Sequence, residues 1–210
     1  MELNLNLARV VVVGSSCAGK TTFARRLARL LSVPRVELDA LHWAPHWRPR
    51  NPEEFRDLTR AAAAGDAWVA EGNYVAVRDV LWPRATVLIW LNYSFLATFS
   101  RAMRRTIHRA ATGRELYSGN RETFRQSFLS RDSILLWILQ SFRRLRREYR
   151  RIFDEQPRDG LSYLEFRNPR AAERWLRSLE IARRPNTSRG ESPSGNSWNT
   201  SRSEVGPKTE

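Results

Sequence analysis

A β-branched run that ends in a glycine-rich loop most constrains how this chain can fold. Four consecutive valines, Val10 to Val13, lead into Gly14, and residues Gly14 to Thr21 match the spacing G-x-x-x-x-G-K-S/T. Gly14 and Gly19 permit backbone angles that a Cβ would block, so consecutive main-chain N–H groups can turn inward around an anion. The helix that follows adds its free N–H groups and the positive end of its dipole. The pattern therefore predicts a strand, a phosphate-binding loop and a helix, in that order.

The loop predicts a site for a nucleoside triphosphate with magnesium. We expect Lys20 to reach the β- and γ-phosphates of ATP and the Thr21 hydroxyl to hold Mg²⁺, because these are the roles of the two positions in loops of this type. The residues expected to contact the nucleotide are consecutive: Gly14, Ser15, Ser16, Cys17, Ala18, Gly19, Lys20, Thr21 and Thr22. ATP and Mg²⁺ are therefore the predicted cofactors.

Length and composition favour one cytoplasmic domain with an appendage. The chain has 210 residues, which suits a single α/β domain and a short extension. Its longest purely aliphatic or aromatic stretch, Ile134 to Leu139, is far shorter than the ~20 residues of a membrane span. The N-terminus has no basic start before an apolar run, so we expect no signal peptide. Cys17 is the single cysteine, which excludes an internal disulfide and favours the cytoplasm.

Apolar periodicity predicts five strands that alternate with helices. The predicted strands cover residues 8–13, 35–38, 67–70, 86–91 and 161–166, and the predicted helices cover 20–31, 52–64, 95–112, 123–153 and a last helix that begins at Asn168-Pro169. Strands that alternate with helices imply a parallel sheet covered on both faces. We therefore expect a three-layer α/β/α P-loop NTPase fold over residues 1–182. Residues 183–210 are polar and are expected to be a disordered tail.

Two acidic residues follow predicted strands and so belong at the ligand-binding edge of such a sheet. Ligands of open parallel sheets bind beyond the carboxyl ends of the strands. Asp39 follows the second predicted strand and Glu71 the third. Mg²⁺ needs one or two carboxylates near the phosphates, and phosphoryl transfer needs a group that orients the acceptor. We expect Asp39 to orient the acceptor and Glu71 to support the metal, the alternative being that each is a capping or turn acid.

An aromatic segment follows Asp39 directly. Residues 40–51 are predicted to be a loop rich in Trp, His and Pro, in which His42 and Trp43 are candidate substrate contacts. A metal pair of His42 and His46 is not favoured, because Pro45 breaks the helix that would align them. The tryptophans can stack on a base or sugar, or can pack the loop itself. Asn73, two residues after Glu71, is a further candidate substrate contact.

Positive charge is concentrated in one segment of the chain. The net charge is +14, and only two lysines occur, Lys20 and Lys208, so nearly all of the positive charge is arginine. Residues 101–151 hold 14 arginines and 4 acidic residues, which leaves a net charge of +10. Arginine forks match phosphate oxygens. The segment is therefore a lid over nucleotide phosphates or a nucleic-acid-binding face.

The lid interpretation assigns particular arginines. Arg101 and Arg105 are four residues apart, so they share one face of a helix. We expect a helical, arginine-rich lid over about 101–131, in which these two residues neutralise charge on the transferring phosphoryl group. Arg131, on the far side of the lid, is a candidate substrate contact. A solvated basic face is the alternative, and the arginines of 143–151 are expected to face solvent or an acidic partner.

These motifs together resemble a bacterial P-loop kinase-like family whose members are labelled adenylate kinase-like or DNA topology modulation proteins. The resemblance covers about residues 8–180 and rests on residues 14–22, 38–43 and 68–74 and on the arginine segment, while residues 128–137 resemble an actinobacterial branch. It implies the nucleoside-monophosphate-kinase fold with a lid that begins at Arg101 and Arg105. The chain departs from the family's adenylate kinases in two ways. Glu71-Gly72 stands where they have Asp-Gly, and Asn73-Tyr74 replaces their Pro-Arg, which argues against AMP as the acceptor.

The sequence thus predicts an ATP-dependent phosphotransferase with Lys20, Asp39, Arg101 and Arg105 as its catalytic residues. The acceptor is expected to be a small molecule such as a nucleotide or nucleoside, and the protein to be a monomer or weak dimer without membrane contact. One alternative is a nucleotide-binding regulatory ATPase that contacts nucleic acid through the arginines of 143–151. Another is a slow ATPase with no dedicated acceptor.

Overall fold

One parallel sheet lies at the centre of the structure, a computed structural model that describes residues 5–112, 134–156 and 158–183. The side chains of 105–112 and 134–140 lie outside this description. The five strands of the sheet are β1 (Arg9–Gly14), β2 (Arg35–Glu37), β5 (Trp68–Glu71), β6 (Val87–Leu91) and β7 (Ser162–Phe166). They are ordered β2-β5-β1-β6-β7, and every neighbouring pair is parallel. Helices cover both faces, so the predicted three-layer α/β/α fold with a five-stranded parallel sheet is confirmed.

The helices of the described residues connect the strands. They are α1 (Lys20–Leu31), α2 (Leu38–His42), α3 (Pro52–Ala62), α4 (Arg78–Leu81), α5 (Phe95–Thr112), α6 (Ile134–Glu155) and α7 (Pro169–Ala182). The predicted start signals of two helices are confirmed. The Asn51 side chain accepts a hydrogen bond from the Glu53 amide, and the Asn168 side chain accepts one from the Ala171 amide. A proline follows each asparagine, because the first helical position needs no N–H donor.

The two faces of the sheet carry separate hydrophobic cores. On one face, Phe55 of α3 and Leu145, Tyr149 and Phe153 of α6 pack against residues of the strands such as Trp90. On the other face, α1 and α7 pack against alternate residues of the same strands. Because β1 lies between two strands and two helical layers, its valines are all buried. The central position of β1 places the loop that follows it at the middle of the sheet's carboxyl edge.

The prediction of a loop over residues 40–51 is wrong in detail. β2 ends at Glu37, and Asp39 lies in the short helix α2 rather than at the end of a strand. A hairpin of β3 (Trp43–Ala44) and β4 (Arg48–Pro49) then follows, with a 3₁₀ turn at Pro45–Trp47. These short elements are made by tertiary contacts, since the His42 ring packs against Phe55 and Tyr74. Such contacts leave no periodic signal in the sequence.

Two other predictions fall outside the described residues. They are the loop and far side of the lid, residues 113–133, and the tail after residue 183. Within the described part of the chain, no helix combines the length and hydropathy that crossing a membrane requires.

Candidate functional site

The loop between β1 and α1 has the backbone conformation that its glycines predict. Gly14 and Gly19 have φ angles of 148° and 95°, and Cys17 also has a positive φ, of 63°. A Cβ on Gly14 would lie 2.8 Å from the main-chain oxygen of Leu91, and a Cβ on Gly19 would lie 3.3 Å from Nη1 of Arg101. A Cβ at Gly14 is blocked by the main chain, whereas at Gly19 the positive φ strains any other residue and a Cβ would press on the Arg101 side chain. Glycine at both positions lets the backbone turn so that its N–H groups can approach an anion closely.

Lys20 is bound to the loop that it follows. Its Nζ donates to the main-chain oxygens of Gly14 at 3.0 Å and Ser15 at 3.2 Å. Both of these acceptors are neutral, so neither bond gains from a full negative charge. An anionic ligand in the loop would offer Lys20 a stronger, charge-assisted partner.

Thr21 and Glu71 meet directly beneath the loop. The Thr21 hydroxyl donates to Oε2 of Glu71 at 3.2 Å. Glu71 is the last residue of β5, and its main chain is in register with Val12 of β1 and Glu37 of β2. The parallel register thus brings a carboxylate to the first turn of α1, 50 residues away along the chain. A hydroxyl beside a carboxylate is an oxygen donor set that fits Mg²⁺.

The Glu71 carboxylate is buried among charged groups. Its side chain is 3% exposed, and Nη1 of Arg35 lies 3.3 Å from Oε1. Nη2 of the same guanidinium bonds Glu37 at 2.5 Å, so Arg35 bridges two carboxylates. Burial raises the pKa of Glu71 to about 7, against the lowering effects of the Lys20 charge and the Thr21 hydrogen bond. A cation at this position would oppose that shift and favour the ionised carboxylate.

Asp39 is positioned by an aromatic cluster. Oδ1 of Asp39 accepts a hydrogen bond of 2.6 Å from the Tyr74 hydroxyl. The Tyr74 ring packs against His42 at 4.6 Å and Phe55 at 5.1 Å, and the Trp43 ring lies 4.7 Å from His42. The cluster therefore holds Asp39 and the two candidate substrate contacts, His42 and Trp43, in one region beyond the ends of β2 and β5.

The His42 ring is partly buried within this cluster. Burial lowers its pKa, although the Asp39 charge acts in the opposite direction. Its Nδ1 is buried and has no hydrogen-bond partner among the described residues. His46 has a φ of 61° within a 3₁₀ turn that breaks the helical register between the two histidines.

Asn73 contacts the loop itself. Its Oδ1 accepts from the Gly14 amide at 3.2 Å, and its Nδ2 donates to the Gly14 oxygen at 2.6 Å. The Tyr149 hydroxyl also donates to Oδ1, at 3.2 Å. The polar atoms of Asn73 are thus bonded within the protein, while its role as a substrate contact stays a prediction.

Arg101 reaches the same loop from helix α5. Its Nη1 donates to the Ala18 oxygen at 3.0 Å, and its guanidinium lies 5.2 Å from the centre of the Tyr93 ring. Burial raises the pKa of Tyr93 to about 12, so that the ring stays neutral beside the cation. Arg101 therefore places a positive charge at the rim of the loop. The side chain of Arg105 and all of Arg131 lie outside the described residues.

Several residues of the site carry no signal in the sequence. Arg35, Arg78 and Tyr149 look like ordinary members of a strand, a short helix and an amphipathic helix. Their contacts join residues that are far apart in the chain. Arg35 and Glu71 are separated by 36 residues, and Tyr149 and Asn73 by 76. The one available hint is that a tyrosine stands on the apolar stripe of α6, where its hydroxyl needs a partner.

Comparison with known proteins adds a general likeness. No protein-family model matches the sequence, and no curated protein matches it significantly. A shikimate kinase from Bacteroides thetaiotaomicron has 18% identity and a TM-score of 0.47, covering 83% of this chain and 97% of that chain. A gluconokinase from Sinorhizobium meliloti 1021 has 17% identity and a TM-score of 0.44, covering 86% and 100%. At such identities and TM-scores the likeness carries no inference about function, which we draw from the site alone.

Proposed function

We propose that this protein is an ATP-dependent phosphotransferase that transfers the γ-phosphoryl group to a small molecule such as a nucleotide or nucleoside. The observation that carries this proposal is the 3.2 Å contact of the Thr21 hydroxyl with the buried Glu71 carboxylate beneath a loop with positive φ at Gly14 and Gly19. A loop alone would serve any anion. The added hydroxyl and carboxylate suit an anion that arrives with a divalent cation.

The phosphates would be bound by main-chain amides and by two cations. Lys20 would exchange the neutral oxygens of Gly14 and Ser15 for phosphate oxygens, which are better acceptors for an ammonium group. Arg101 donates to the loop at Ala18, so its charge would lie close to phosphates bound in the loop and could neutralise negative charge that develops during phosphoryl transfer. Arg105 is one helical turn further along α5, and we assign it the same role.

Thr21 and Glu71 are the residues that would hold Mg²⁺. The ion supplies charge neutralisation of the phosphate oxygens when it is bound. Glu71 supports it best as a carboxylate, and Lys20, Thr21 and Arg35 all favour that form. Burial acts against them. Since one carboxylate and one hydroxyl leave most of the coordination shell open, the remaining ligands would be water and phosphate, as is usual for Mg²⁺.

Asp39 would orient the acceptor. It lies beyond the carboxyl end of β2 and is fixed by the Tyr74 hydroxyl at 2.6 Å. A carboxylate has more than one lone-pair site, so it can accept a proton or hydrogen bond from an acceptor hydroxyl while it keeps Tyr74. The rings of His42 and Trp43 border the same region, which suits an acceptor with a flat or apolar part.

The experiment is an assay of ADP release with Mg-ATP and a panel of nucleosides, nucleotides and sugars. We expect Lys20→Ala to abolish turnover and Arg101→Ala or Arg105→Ala to lower kcat more than ATP affinity, because the arginines act mainly on the transition state. Arg104→Ala is the matched control, since Arg104 is an exposed arginine of the same helix. Wild-type turnover in Lys20→Ala, or no stimulation by any acceptor, would contradict the proposal.

A second candidate is a nucleotide-binding ATPase regulated by nucleic acid. The observation in its favour is the exposed arginine face of α6, where Arg143, Arg146 and Arg147 have no carboxylate partner within the described part of the chain. This candidate requires that DNA or RNA stimulate ATP hydrolysis when no small acceptor is present. The same assay with nucleic acid in place of the panel distinguishes the two.

A further inference from the structure

The side chain of Asn73 forms hydrogen bonds with both main-chain polar groups of Gly14, the last residue of β1. The Gly14 amide donates to Oδ1 of Asn73 at 3.2 Å, and Nδ2 of Asn73 donates to the Gly14 oxygen at 2.6 Å. A trans peptide holds its C=O and the next N–H on opposite sides. Asn73 therefore also fixes the direction of the Ser15 N–H, which is the first amide within the loop.

Asn73 and Lys20 share one acceptor. The Gly14 oxygen accepts from Nζ of Lys20 at 3.0 Å as well as from Asn73. When Lys20 turns toward a phosphate, the Gly14 oxygen keeps the Asn73 donor and is not left unsatisfied. An unsatisfied buried carbonyl is costly, because it has lost its water without gaining another partner. Asn73 thus removes that cost from the movement of Lys20.

The orientation of the Asn73 amide is itself fixed from helix α6. The hydroxyl of Tyr149 donates to Oδ1 of Asn73 at 3.2 Å and accepts from Nη2 of Arg78 at 3.2 Å. Arg78 is in turn bonded to Glu148 of α6 at 2.5 Å. Tyr149 is fully buried, and burial raises its pKa to about 12, so it keeps the proton that it donates. Oδ1 of Asn73, rather than Nδ2, therefore faces the two hydrogen-bond donors, the Gly14 amide and the Tyr149 hydroxyl.

We propose that Asn73 and Tyr149 are positioning residues that set the main chain of the phosphate-binding loop for its ligand, so that α6 acts on the nucleotide site through two side chains. Neither residue has to touch the nucleotide for this role. The inference rests on the proposed function in so far as the ligand is a nucleotide. It extends that function by linking α6, which carries the arginines of 143–151, to the phosphate-binding loop.

The experiment measures the affinity of Mg-ADP and Mg-ATP by calorimetry for Asn73→Ala, Tyr149→Phe and the double variant. We expect about tenfold weaker binding for Asn73→Ala, which corresponds to about 1.4 kcal/mol, and a smaller effect for Tyr149→Phe. Because Tyr149 acts through Asn73, the double variant should bind no more weakly than Asn73→Ala alone. Wild-type affinity in both single variants, or additive effects in the double variant, would overturn the proposal.

Tyr163→Phe is the matched control. Tyr163 lies in β7, and its ring packs against the Phe153 ring of α6 at 5.4 Å. The control therefore removes a hydroxyl that lies beside α6 but forms no hydrogen bond with the phosphate-binding loop. We expect nucleotide affinity equal to that of the wild type. Asn73→Asp is a second variant of nearly the same shape. It lacks the Nδ2 donor and sets a carboxylate against the Gly14 oxygen, so it should bind nucleotide more weakly than Asn73→Ala.

A readout without nucleotide separates this proposal from the proposed function. In the ligand-free protein, the amide resonances of Gly14 and Ser15 should shift in Tyr149→Phe and not in Tyr163→Phe. A wild-type protein that binds no nucleotide would refute the proposed function, yet the resonances would still test the link from α6. Unshifted resonances in Tyr149→Phe would overturn the link even if the wild type binds ATP.

Discussion

At the scale of single residues, burial and neighbouring charges act on Glu71 in opposite directions. It lies 3% exposed between the Thr21 hydroxyl and the Arg35 guanidinium, and its pKa is raised to about 7 from an ordinary value of 4.5. Burial disfavours the charged form more than the neighbouring cations favour it. If Mg²⁺ binds beside Glu71 as we propose, it would favour the ionised carboxylate and release the proton that Glu71 otherwise holds.

Glu71 also predicts how stability depends on pH in metal-free buffer. Between about pH 4.5 and pH 7 the folded state binds more protons at Glu71 than the unfolded state, so the free energy of unfolding falls as pH rises through this range. The full difference is on the order of 3 kcal/mol. In Glu71→Gln, which has no carboxyl group at this position, we expect the part of the pH-dependent fall in the free energy of unfolding that comes from Glu71 to be absent. Urea unfolding from pH 4.5 to 8 with EDTA measures it, and parallel curves for the two proteins would refute the shift.

At the scale of elements, α6 has two faces with different physical roles. Leu145, Tyr149 and Phe153 face the core, while Arg143, Arg147 and Arg151 face solvent. The Phe153 ring lies 5.2 Å from the Trp90 ring on the central part of the sheet. Apolar contacts at 3- and 4-residue spacing therefore attach the helix to the sheet. The arginines of its other face contribute charge rather than attachment.

The difference between the two faces can be measured. We expect Phe153→Ala to lower the free energy of unfolding by about 3–5 kcal/mol, as for other buried aromatic residues. Arg151→Ala removes an i,i+4 pair with Glu155 from a side chain that is 78% exposed, and should leave the free energy of unfolding almost unchanged. Chemical denaturation of the two variants gives both values. Equal destabilisation by the two changes would mean that α6 is held by its charges.

At the scale of the whole molecule, the net charge of +14 makes long-range attraction to anions a general property. The described part of α6 exposes several arginines, among them Arg143, Arg146 and Arg147. A nucleotide needs only the loop and a few cations. An extended polyanion would instead contact this face, and its binding would then depend steeply on salt.

A charge-matched comparison tests whether this face is specific. We expect the triple change of Arg143, Arg146 and Arg147 to Gln to reduce the salt dependence of DNA or RNA binding. The slope of the logarithm of the binding constant against the logarithm of the salt concentration should become shallower by about 0.9 for each phosphate that the protein no longer neutralises. The control changes three exposed arginines of α7, Arg170, Arg174 and Arg177, to Gln. Fluorescence anisotropy at several salt concentrations measures the slopes. Equal reductions in both variants would show that only net charge matters.

Local patterns were enough to predict much of the framework. The valine run, the spacing of Gly14, Gly19 and Lys20, and the Asn-Pro helix starts each act over a few residues, so the sequence displays them directly. The alternation of strands and helices then implies a parallel sheet, since parallel neighbours require a long crossover connection and a helix supplies it. For the same reason, Glu71 could be expected at the edge of the sheet near the loop.

Tertiary structure alone decided which side chains meet there. The short helix that carries Asp39, the bridge of Arg35 between Glu71 and Glu37, and the bonds from Tyr149 through Asn73 to Gly14 all depend on residues far apart in the chain. Their geometry follows from the order of strands in the sheet and from the rotation of α6 against it. A sequence records neither quantity, because each results from packing summed over the whole core rather than from any local preference.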